Sequence, residues 1–188
     1  MMNTKPLCGI DEAGRGPLAG SLVIAGVVLK NPIEGLMDSK KLTEKRREAL
    51  YPLVIENSAY HIVSFSAQEV DSMGISKCLH LGLQSIQKHL PEVEYLFDGN
   101  STFGVENITT MIKADSKVAE VSAASILAKV THDREMIEMA KKYPEYGFEK
   151  HKGYGTKSHI EALLKYDRCE MHRKTFRVKG LDDPVLKF

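Results

Sequence analysis

The sequence predicts an α/β fold: a mixed β-sheet flanked by helices, with a C-terminal helical extension. Two β-prone runs, 7–11 and 21–29, are separated by a glycine-rich loop, which predicts adjacent strands that pair as a hairpin. Further along, strand-like and helix-like runs alternate, as in sheets with parallel strands. A long segment rich in alanine and serine then predicts a helix that packs closely against the sheet.

The middle elements follow from their apolar patterns. Residues 59–67 partly alternate apolar and polar side chains, which predicts a third strand. Residues 75–90 place apolar side chains on one helical stripe, and Pro91 ends that helix. The runs VEYLFDGN and ITTMIKA predict a fourth and a fifth strand. The strand, helix, strand order predicts that the third and fourth strands form a parallel pair joined by a crossover.

The C-terminal part is predicted to be helical. A long helix is expected from Ser116 to Pro144, and its first half is rich in small residues that allow close approach to a sheet. A final helix, TKSHIEALLKYD, follows the glycine-rich link HKGYGT.

Composition is that of an ordinary globular protein. Hydrophobic residues make up 43% and charged residues 27% of 188, which argues against extensive disorder. No run approaches the roughly 18 apolar residues of a membrane span, and the start MMNTKP lacks the features of a signal peptide. We expect a cytoplasmic protein without membrane association. Its cysteines form no CxxC pair and are expected to be reduced thiols: Cys8, Cys78 and Cys169.

Basic residues are concentrated in two clusters although the net charge is only +1. Each cluster alone is compatible with a solvated helix face or a basic tail. Two clusters that flank buried acids also fit a surface that binds phosphates around a central cation. The first consists of Lys40, Lys41, Lys45, Arg46 and Arg47, and the second of Arg168, Arg173, Lys174, Arg177 and Lys179.

Four acidic residues follow predicted strands. Asp11 and Glu12 end the first strand, Asp98 ends the fourth, and Asp115 follows the fifth. Ligands of open α/β sheets gather at such strand ends. Asp98 could instead belong to a turn and Asp115 could cap a helix. The Asp11–Glu12 pair lacks such a local role, and burying it without a partner would cost several kcal/mol or force protonation. Mg²⁺ or Mn²⁺ would remove that difficulty.

The pair poses a geometric problem, because neighbouring residues on a strand point to opposite faces. Glu12 is therefore expected where the strand already bends into the glycine loop.

The loop GRGPLAG matches neither common phosphate-binding fingerprint. Its third glycine is one position late for a dinucleotide site and a strand follows it, and no Gly-Lys-Ser/Thr ends it. Gly14 and Gly16 permit close backbone approach to a ligand, with Arg15 between them. A tight turn between strands, with Arg15 on its surface, is the alternative.

Six motifs in this order resemble bacterial ribonuclease HII: GIDEAGRGPLAG, DSKKL, LFDGN, KADSKVAEVSAASILAKV, HKGYGT and HRKTF. The related ribonuclease HIII usually replaces the loop arginine and carries an extra N-terminal domain, so Arg15 favours the HII family. The resemblance implies a ribonuclease-H-like fold. It also implies endonucleolytic cleavage of the RNA strand in RNA–DNA hybrids and at ribonucleotides embedded in duplex DNA.

Site residues follow from the resemblance motif by motif. The metal-binding, catalytic carboxylates would be Asp11, Glu12, Asp98 and Asp115. Residues that contact the substrate would be Gly14, Arg15, Gly16, Ser39, Lys40, Tyr154, Arg173 and Lys174. The glycine loop would read the 2′-hydroxyl, Tyr154 would stack at the RNA–DNA junction, and the other residues would contact phosphates. We expect a single domain over 1–188, with a catalytic core over about 1–145 and an extension over about 146–188 that contacts substrate.

The chemistry fits these acids, since two Mg²⁺ or Mn²⁺ ions roughly 3.5–4 Å apart can activate water and relieve charge on the leaving oxygen. No histidine pair has the spacing of a metal motif such as HExxH. His132, His151 and His172 are expected at the surface or facing phosphates. Asp133 is excluded because a continuous helix would place it about 27 Å from Asp115. Glu120 could lie behind the metal site or face solvent.

Two other functions stay open at this point. A different metal-dependent nuclease of the same fold would share the acids but not the glycine–arginine loop and the tyrosine motif. A binding module without activity would lack one of the acids, and none is missing. As partners we expect hybrid and ribonucleotide-containing duplexes, and we expect a monomer. The tail DDPVLKF hints weakly at a sliding-clamp contact.

Overall fold

A five-stranded sheet with helices on both faces forms the centre of the protein. The structure, a computed structural model, describes residues 4–36 and 42–183. Its strands are Leu7–Ala13 (β1), Leu22–Leu29 (β2), Ser58–Phe65 (β3), Glu94–Asp98 (β4) and Thr109–Met111 (β5). Its helices are Glu44–Glu56 (α1), Ala67–Met73 (α2), Ile75–His89 (α3), Ala119–Lys142 (α4), Phe148–His151 (α5) and Lys157–Tyr166 (α6).

The sheet order is β3-β2-β1-β4-β5. The three strands β1, β2 and β3 form an antiparallel meander, whereas β4 pairs in parallel with both β1 and β5. The predicted hairpin is confirmed. The predicted pairing of the third and fourth strands is wrong: they run in the same direction, but β2 and β1 lie between them, so the crossover through α3 ends beside β1.

Three helical features differ from the predictions. Helix α4 begins at Ala119, because Ala114–Ser116 forms a separate 3-10 turn ahead of it. Helix α1 was not predicted, and it contains Pro52. Helix α2 replaces the end of the predicted third strand, since Ser66 accepts from the Glu69 backbone and Glu69 bonds back to Ser66 in a capping box.

Apolar side chains fill both sides of the sheet. On one face, β2 packs against α4 and α1 through residues such as Val23, Leu127 and Val54. On the other face, α3 covers β2 and β3, with Leu83, Ile24 and Phe65 among the buried residues. The sheet is therefore the middle layer of three, and its central strand β1 is inaccessible to solvent except near its ends.

Helix α4 approaches β1 so closely that position 9 has room only for glycine. A Cβ atom built on Gly9 would lie 2.2 Å from the backbone carbon of Glu120 and 2.2 Å from the nitrogen of Val121. Small residues on α4 extend this contact, among them Ala123 and Ala124, both fully buried. The prediction that the first half of this helix lies close against the sheet is confirmed.

The C-terminal residues pack on the far half of α4 through their own apolar cluster. Met136 of α4 and Ala19 of the loop after β1 contact Phe148 and Leu163 in this cluster. The extension thereby reaches the glycine loop. In residues 4–36 and 42–183, no helix is both long and apolar enough to cross a bilayer.

We predict that Gly9→Ala destabilises the fold by about 3 kcal/mol, because its methyl group meets immovable backbone. Gly16→Ala is the matched control, since the Cβ it adds would lie 3.8 Å from its nearest neighbour, Tyr154 Cε1. We expect the control to change the free energy of unfolding by no more than about 0.5 kcal/mol. Urea unfolding of both variants measures the difference, and equal stability of the two would contradict close packing at Gly9.

Candidate active site

Three carboxylates converge at one edge of the sheet. Asp11 lies near the end of β1 and Asp98 ends β4, and the two parallel strands are neighbours, so their carboxyl ends meet at this edge. Asp115 lies in the 3-10 turn that follows β5. One oxygen atom from each of the three lies within 4.8 Å of the others. Residues that are far apart in the chain thus form a single half-buried acidic cluster.

Backbone hydrogen bonds hold the cluster in place. Asp98 Oδ1 accepts from the Lys113 amide at 3.1 Å, and Oδ2 accepts from the Asp115 amide at 3.0 Å. Lys113 has a left-handed backbone with φ of 58°, which turns the chain after β5 back toward Asp98. Asp11 Oδ1 accepts from the Glu12 amide at 2.8 Å. The Asp98 carboxylate therefore fixes the backbone position of Asp115.

Electrostatics favour the uptake of a cation at this site. Burial raises the pKa of Asp11 well above its usual range, and the charge of Glu12 raises it further. Burial also raises the pKa of Glu12, although Arg15 opposes the shift. Crowded, partly desolvated carboxylates repel one another unless a proton or a metal ion compensates them.

Glu12 lies beside the cluster and contacts the glycine loop. Its Oε1 atom pairs with Arg15 Nε at 2.5 Å. Within the described residues, its Oε2 atom is buried without a hydrogen-bond partner. Four oxygen-bearing side chains, one with an unsatisfied oxygen, are a donor set that suits a hard divalent cation. The donors Asp11, Glu12, Asp98 and Asp115 therefore fit the divalent metal use that their sequence pattern predicts.

The glycine loop, residues 14–20, leaves β1 at a position that requires glycine. Gly14 has φ of +94°, and a Cβ there would lie 2.4 Å from the Ser21 carbonyl oxygen. Arg15 is 42% exposed and lies over the Phe103 ring at 5.3 Å from its centroid. The loop thus presents a charged side chain at the surface next to the acids.

The side chain of Arg173 holds this loop through hydrogen bonds to its carbonyl groups. Its side chain is fully buried, and Nε donates to Gly20 O at 3.1 Å. Nη1 donates to the carbonyl oxygens of Arg15 and Pro17, and Nη2 donates to that of Gly14. Arg173 was predicted to contact phosphates at the surface, but the structure buries its guanidinium against four carbonyl groups and leaves it inaccessible to a phosphate.

Tyr154 stands at the surface beside the loop. It is 41% exposed, and its ring edge faces the open side of Gly16. Lys129 Nζ lies 5.6 Å from the ring centroid, and the His132 ring meets it edge-on at 6.5 Å. An exposed aromatic ring next to a side-chain-free backbone can stack on a sugar or a base.

The other predicted substrate contacts are located only in part. Lys174 is exposed, and its amide donates to Asp71 Oδ2 at 2.7 Å. Ser39 and Lys40 lie outside the described residues, as does the end of the C-terminal tail, 184–188.

Comparisons with known proteins agree on one family. The ribonuclease HII family model matches residues 8–179. The chain belongs to the ribonuclease HII family. A ribonuclease HII from Sulfurovum sp. (strain NBC37-1) is 80% identical over 97% of both chains. The structure of a PCNA:RNase HII complex from Archaeoglobus fulgidus aligns with a TM-score of 0.81 and 27% identity, covering 96% of this chain and 98% of that one.

A second solved structure gives the same assignment. Ribonuclease H2 from Pyrococcus horikoshii OT3 aligns with a TM-score of 0.75 and 31% identity over 90% of this chain and 93% of that one. The predicted mixed sheet with flanking helices is thus the fold of this ribonuclease HII family. Membership makes the chain an endoribonuclease with metal-dependent ribonuclease H activity.

The histidines lie elsewhere than expected. His132, His151 and His172 are buried rather than at the surface. His132 Nδ1 contacts Asp133, which also accepts from Lys129 Nζ at 2.9 Å. Asp133 is thus engaged within α4 and takes no part in the acidic cluster, in agreement with its exclusion. Glu120 lies near Cys8, whose pKa burial raises to about 12.

Sequence reasoning did not identify several residues that support the site. Ser125 lies close enough to Asp11 to favour its charged form, Phe103 lies under Arg15, and Lys129 lies over Tyr154. For Lys129, its spacing of four residues from Asp133 on one helix is a signal of a paired side chain. Phe103 follows no strand or helix pattern, so nothing in the sequence identifies it.

We predict that Arg173→Lys lowers the free energy of unfolding by about 3 kcal/mol, because one ammonium cannot satisfy four carbonyl groups. Arg177→Lys is the matched control, since the Arg177 side chain is 70% exposed. It should change stability by no more than about 0.5 kcal/mol. Thermal and urea unfolding test both variants, and wild-type stability of Arg173→Lys would show that the fork of hydrogen bonds does not hold the loop.

Proposed function

We propose that this enzyme cleaves the RNA strand of RNA–DNA hybrids and incises duplex DNA on the 5′ side of a single embedded ribonucleotide. The downstream fragment then begins with that ribonucleotide and a 5′-phosphate. The observation that carries the proposal is the proximity of two recognition elements, the glycine loop and Tyr154, to the carboxylate cluster. Family membership alone supports the coarser ribonuclease H activity.

The four carboxylates are proposed to hold two divalent ions, Mg²⁺ or Mn²⁺. When bound, such ions supply a nucleophile at neutral pH and relieve charge on the leaving oxygen. Asp11, Asp98 and Asp115 already offer converging oxygen atoms. Glu12 completes the set by releasing Arg15, whose freed guanidinium can then bind a phosphate of the substrate.

The glycine loop is suited to testing for a 2′-hydroxyl. The carbonyl groups of Gly14 and Arg15 face Arg173. A trans peptide points its C=O and its N–H in opposite directions. The amides of the next residues, Arg15 and Gly16, therefore face away from Arg173. Adjacent outward amides form a concave donor site for oxygen atoms. The 2′-hydroxyl is the group by which a protein distinguishes RNA from DNA at a given site.

Tyr154 is proposed to stack at the RNA–DNA junction. Its exposed ring borders Gly16, so a nucleotide read by the loop would also contact the ring. Stacking on an aromatic side chain is worth about 1–3 kcal/mol per base and does not depend on sequence.

Phosphate contacts are proposed for Lys174, Ser39 and Lys40, and no longer for Arg173. The extension over about 146–188 would contact the duplex through Tyr154 and Lys174, and the core over about 1–145 would carry the acids. We also propose that the enzyme acts as a monomer and that its C-terminal tail docks on a sliding clamp. The latter rests on the relative from Archaeoglobus fulgidus, whose structure is that of a complex with PCNA.

Asp11→Asn should lower cleavage by about 10²–10³-fold, because it removes charge that the metal ions require. The same variant should bind Mn²⁺ more weakly in titration calorimetry while its affinity for duplex stays within several-fold. Glu161→Gln, at an exposed acid on α6, is the control and should behave as wild type. Full activity of the wild-type enzyme in excess chelator would refute metal dependence at this site.

Tyr154→Ala should lower kcat/KM at a single ribonucleotide more than tenfold, about 1.4 kcal/mol of transition-state stabilisation. Tyr154→Phe should retain most activity because its ring still stacks. Tyr60→Ala is the matched control, since Tyr60 on β3 is 42% exposed, against 41% for Tyr154. Product mapping on a duplex with one ribonucleotide tests the 5′ position of the cut. Equal cleavage of an all-DNA duplex would replace the proposal with a general nuclease.

A further inference from the structure

Three chain segments are joined by backbone hydrogen bonds beside Tyr154. They are the glycine loop, the turn over 151–156 that carries Tyr154, and the segment 169–173 that ends in Arg173. The Leu18 amide donates to the Gly153 carbonyl at 2.8 Å, and the Arg173 amide donates to the Leu18 carbonyl at 2.8 Å. The loop is thus bonded to both other segments, which raises the question of what connects those two to each other.

A pair of histidines makes that connection. His159, in the first turn of α6, contacts the Tyr154 carbonyl oxygen through Nδ1 at 2.9 Å. Its Nε2 atom lies 2.9 Å from Nε2 of His172, and both rings are buried. The chain of contacts therefore runs from the tyrosine turn through two imidazoles to the segment that ends in Arg173.

Hydrogen-bond chemistry fixes the tautomer of each ring. A carbonyl oxygen only accepts, so the proton of neutral His159 is on Nδ1 and its Nε2 is an acceptor. His172 Nδ1 accepts from the Cys169 amide at 3.0 Å, so its proton is on Nε2. His172 therefore donates to His159, and the two rings are complementary only in these tautomers.

We infer that His159 and His172 are positioning residues that set the Tyr154 turn against the glycine loop and so determine selectivity for an embedded ribonucleotide. The inference rests on the proposed stacking role of Tyr154. His172 keeps the proton of His159 on Nδ1 by occupying Nε2, and His159 uses that proton to hold the Tyr154 backbone. Neither ring touches the substrate.

The surroundings keep both rings neutral. Burial lowers the pKa of His159 to about 4 and that of His172 to about 4. His151 stacks on His159 with ring centroids 4.2 Å apart, and burial lowers its pKa as well. On the other side, Cys169 Sγ lies 3.3 Å from His172 Nδ1, and burial raises the pKa of that thiol. The positive charge of Arg168 also lowers the pKa of His172 and so opposes protonation of its ring.

The carboxylate cluster does not depend on this pair. The acids are on the sheet and the turn after β5, and the hydrogen bonds described above for the Asp11 and Asp98 carboxylates come from Glu12, Lys113 and Asp115, outside residues 151–173. Loss of the histidine pair should therefore impair cleavage at a junction, where Tyr154 acts, more than cleavage within a long RNA–DNA hybrid, which has no junction at the cut.

The test compares kcat/KM on a single-ribonucleotide duplex with kcat/KM on a long RNA–DNA hybrid. His159→Phe removes the donor to Tyr154, and we expect it to lower this ratio at least fivefold. His159→Asn keeps a donor near the position of Nδ1 and should stay within about twofold of wild type. His172→Phe should resemble His159→Phe, whereas His172→Gln, which keeps a donor, should retain the ratio. His89→Phe on α3 is the control, since His89 contacts His61 and Ser85.

A double variant separates a positioning role from general destabilisation. If His159 acts through Tyr154, adding His159→Phe to Tyr154→Ala should change the ratio less than twofold further. Multiplicative losses, or no loss in His159→Phe while Tyr154→Ala is impaired, would overturn the inference alone. No loss in Tyr154→Ala would instead overturn the stacking role proposed above.

Nitrogen-15 NMR of histidine-labelled protein tests the tautomers without activity. His159 should show a protonated Nδ1 and His172 a protonated Nε2 at neutral pH. This measurement needs only the wild-type protein, so it tests the hydrogen bonds of the histidine pair even if His159→Phe fails to fold. The opposite tautomers, or a charged ring at neutral pH, would contradict the proposed hydrogen bonds of the histidine pair.

Discussion

The glycine loop depends on one buried guanidinium. Moving the Arg173 cation out of water costs several kcal/mol, and only well-placed partners offset that cost. Four carbonyl groups of the glycine loop provide those partners, and Asp71 and Glu135 lie close enough to favour the cation. The same contacts solve the converse problem, because a tight buried loop would otherwise leave its carbonyl groups without donors. Loop and arginine are stable only together.

The chemical centre depends instead on sheet topology. Because β1, β4 and β5 are parallel neighbours, their carboxyl ends share one edge, and acids from distant parts of the chain meet there without a dedicated loop. The chain leaves β1 at this same edge and passes through the glycine loop into β2, which pairs with β1 in the antiparallel direction. The carboxylates and the glycine loop are therefore adjacent for a topological reason. Gly9 contributes from behind, since its missing side chain lets α4 lie close against β1.

Sequence reasoning predicted the features whose signals are local. Helix α3 was predicted because it has a continuous apolar stripe. Helix α1 was not predicted, because its sequence contains Pro52, a residue that usually ends a helix. The pairing of β4 with β1 was missed because a crossover fixes direction, but no local pattern specifies which strand receives it. In the site, Asp11 and Glu12 could be singled out because an acidic pair in a strand has no ordinary local role, whereas Asp98 and Asp115 also fit a turn and a helix cap and were assigned through the family motifs. Arg173 could not be assigned correctly, since a basic cluster looks alike whether a guanidinium faces phosphate or backbone carbonyls.

This division of support has a consequence for how the enzyme can vary. The carboxylates at the sheet edge have little freedom to move, because Asp98 accepts from the Asp115 amide. The tyrosine turn and the glycine loop are instead joined by Arg173 and the two histidines, all from the C-terminal part of the chain. Changes in that part can move the recognition elements relative to each other and leave the acids in place. The proposed elements of nucleotide selectivity and the carboxylates are thus held by separate sets of contacts, and the first set can change without the second.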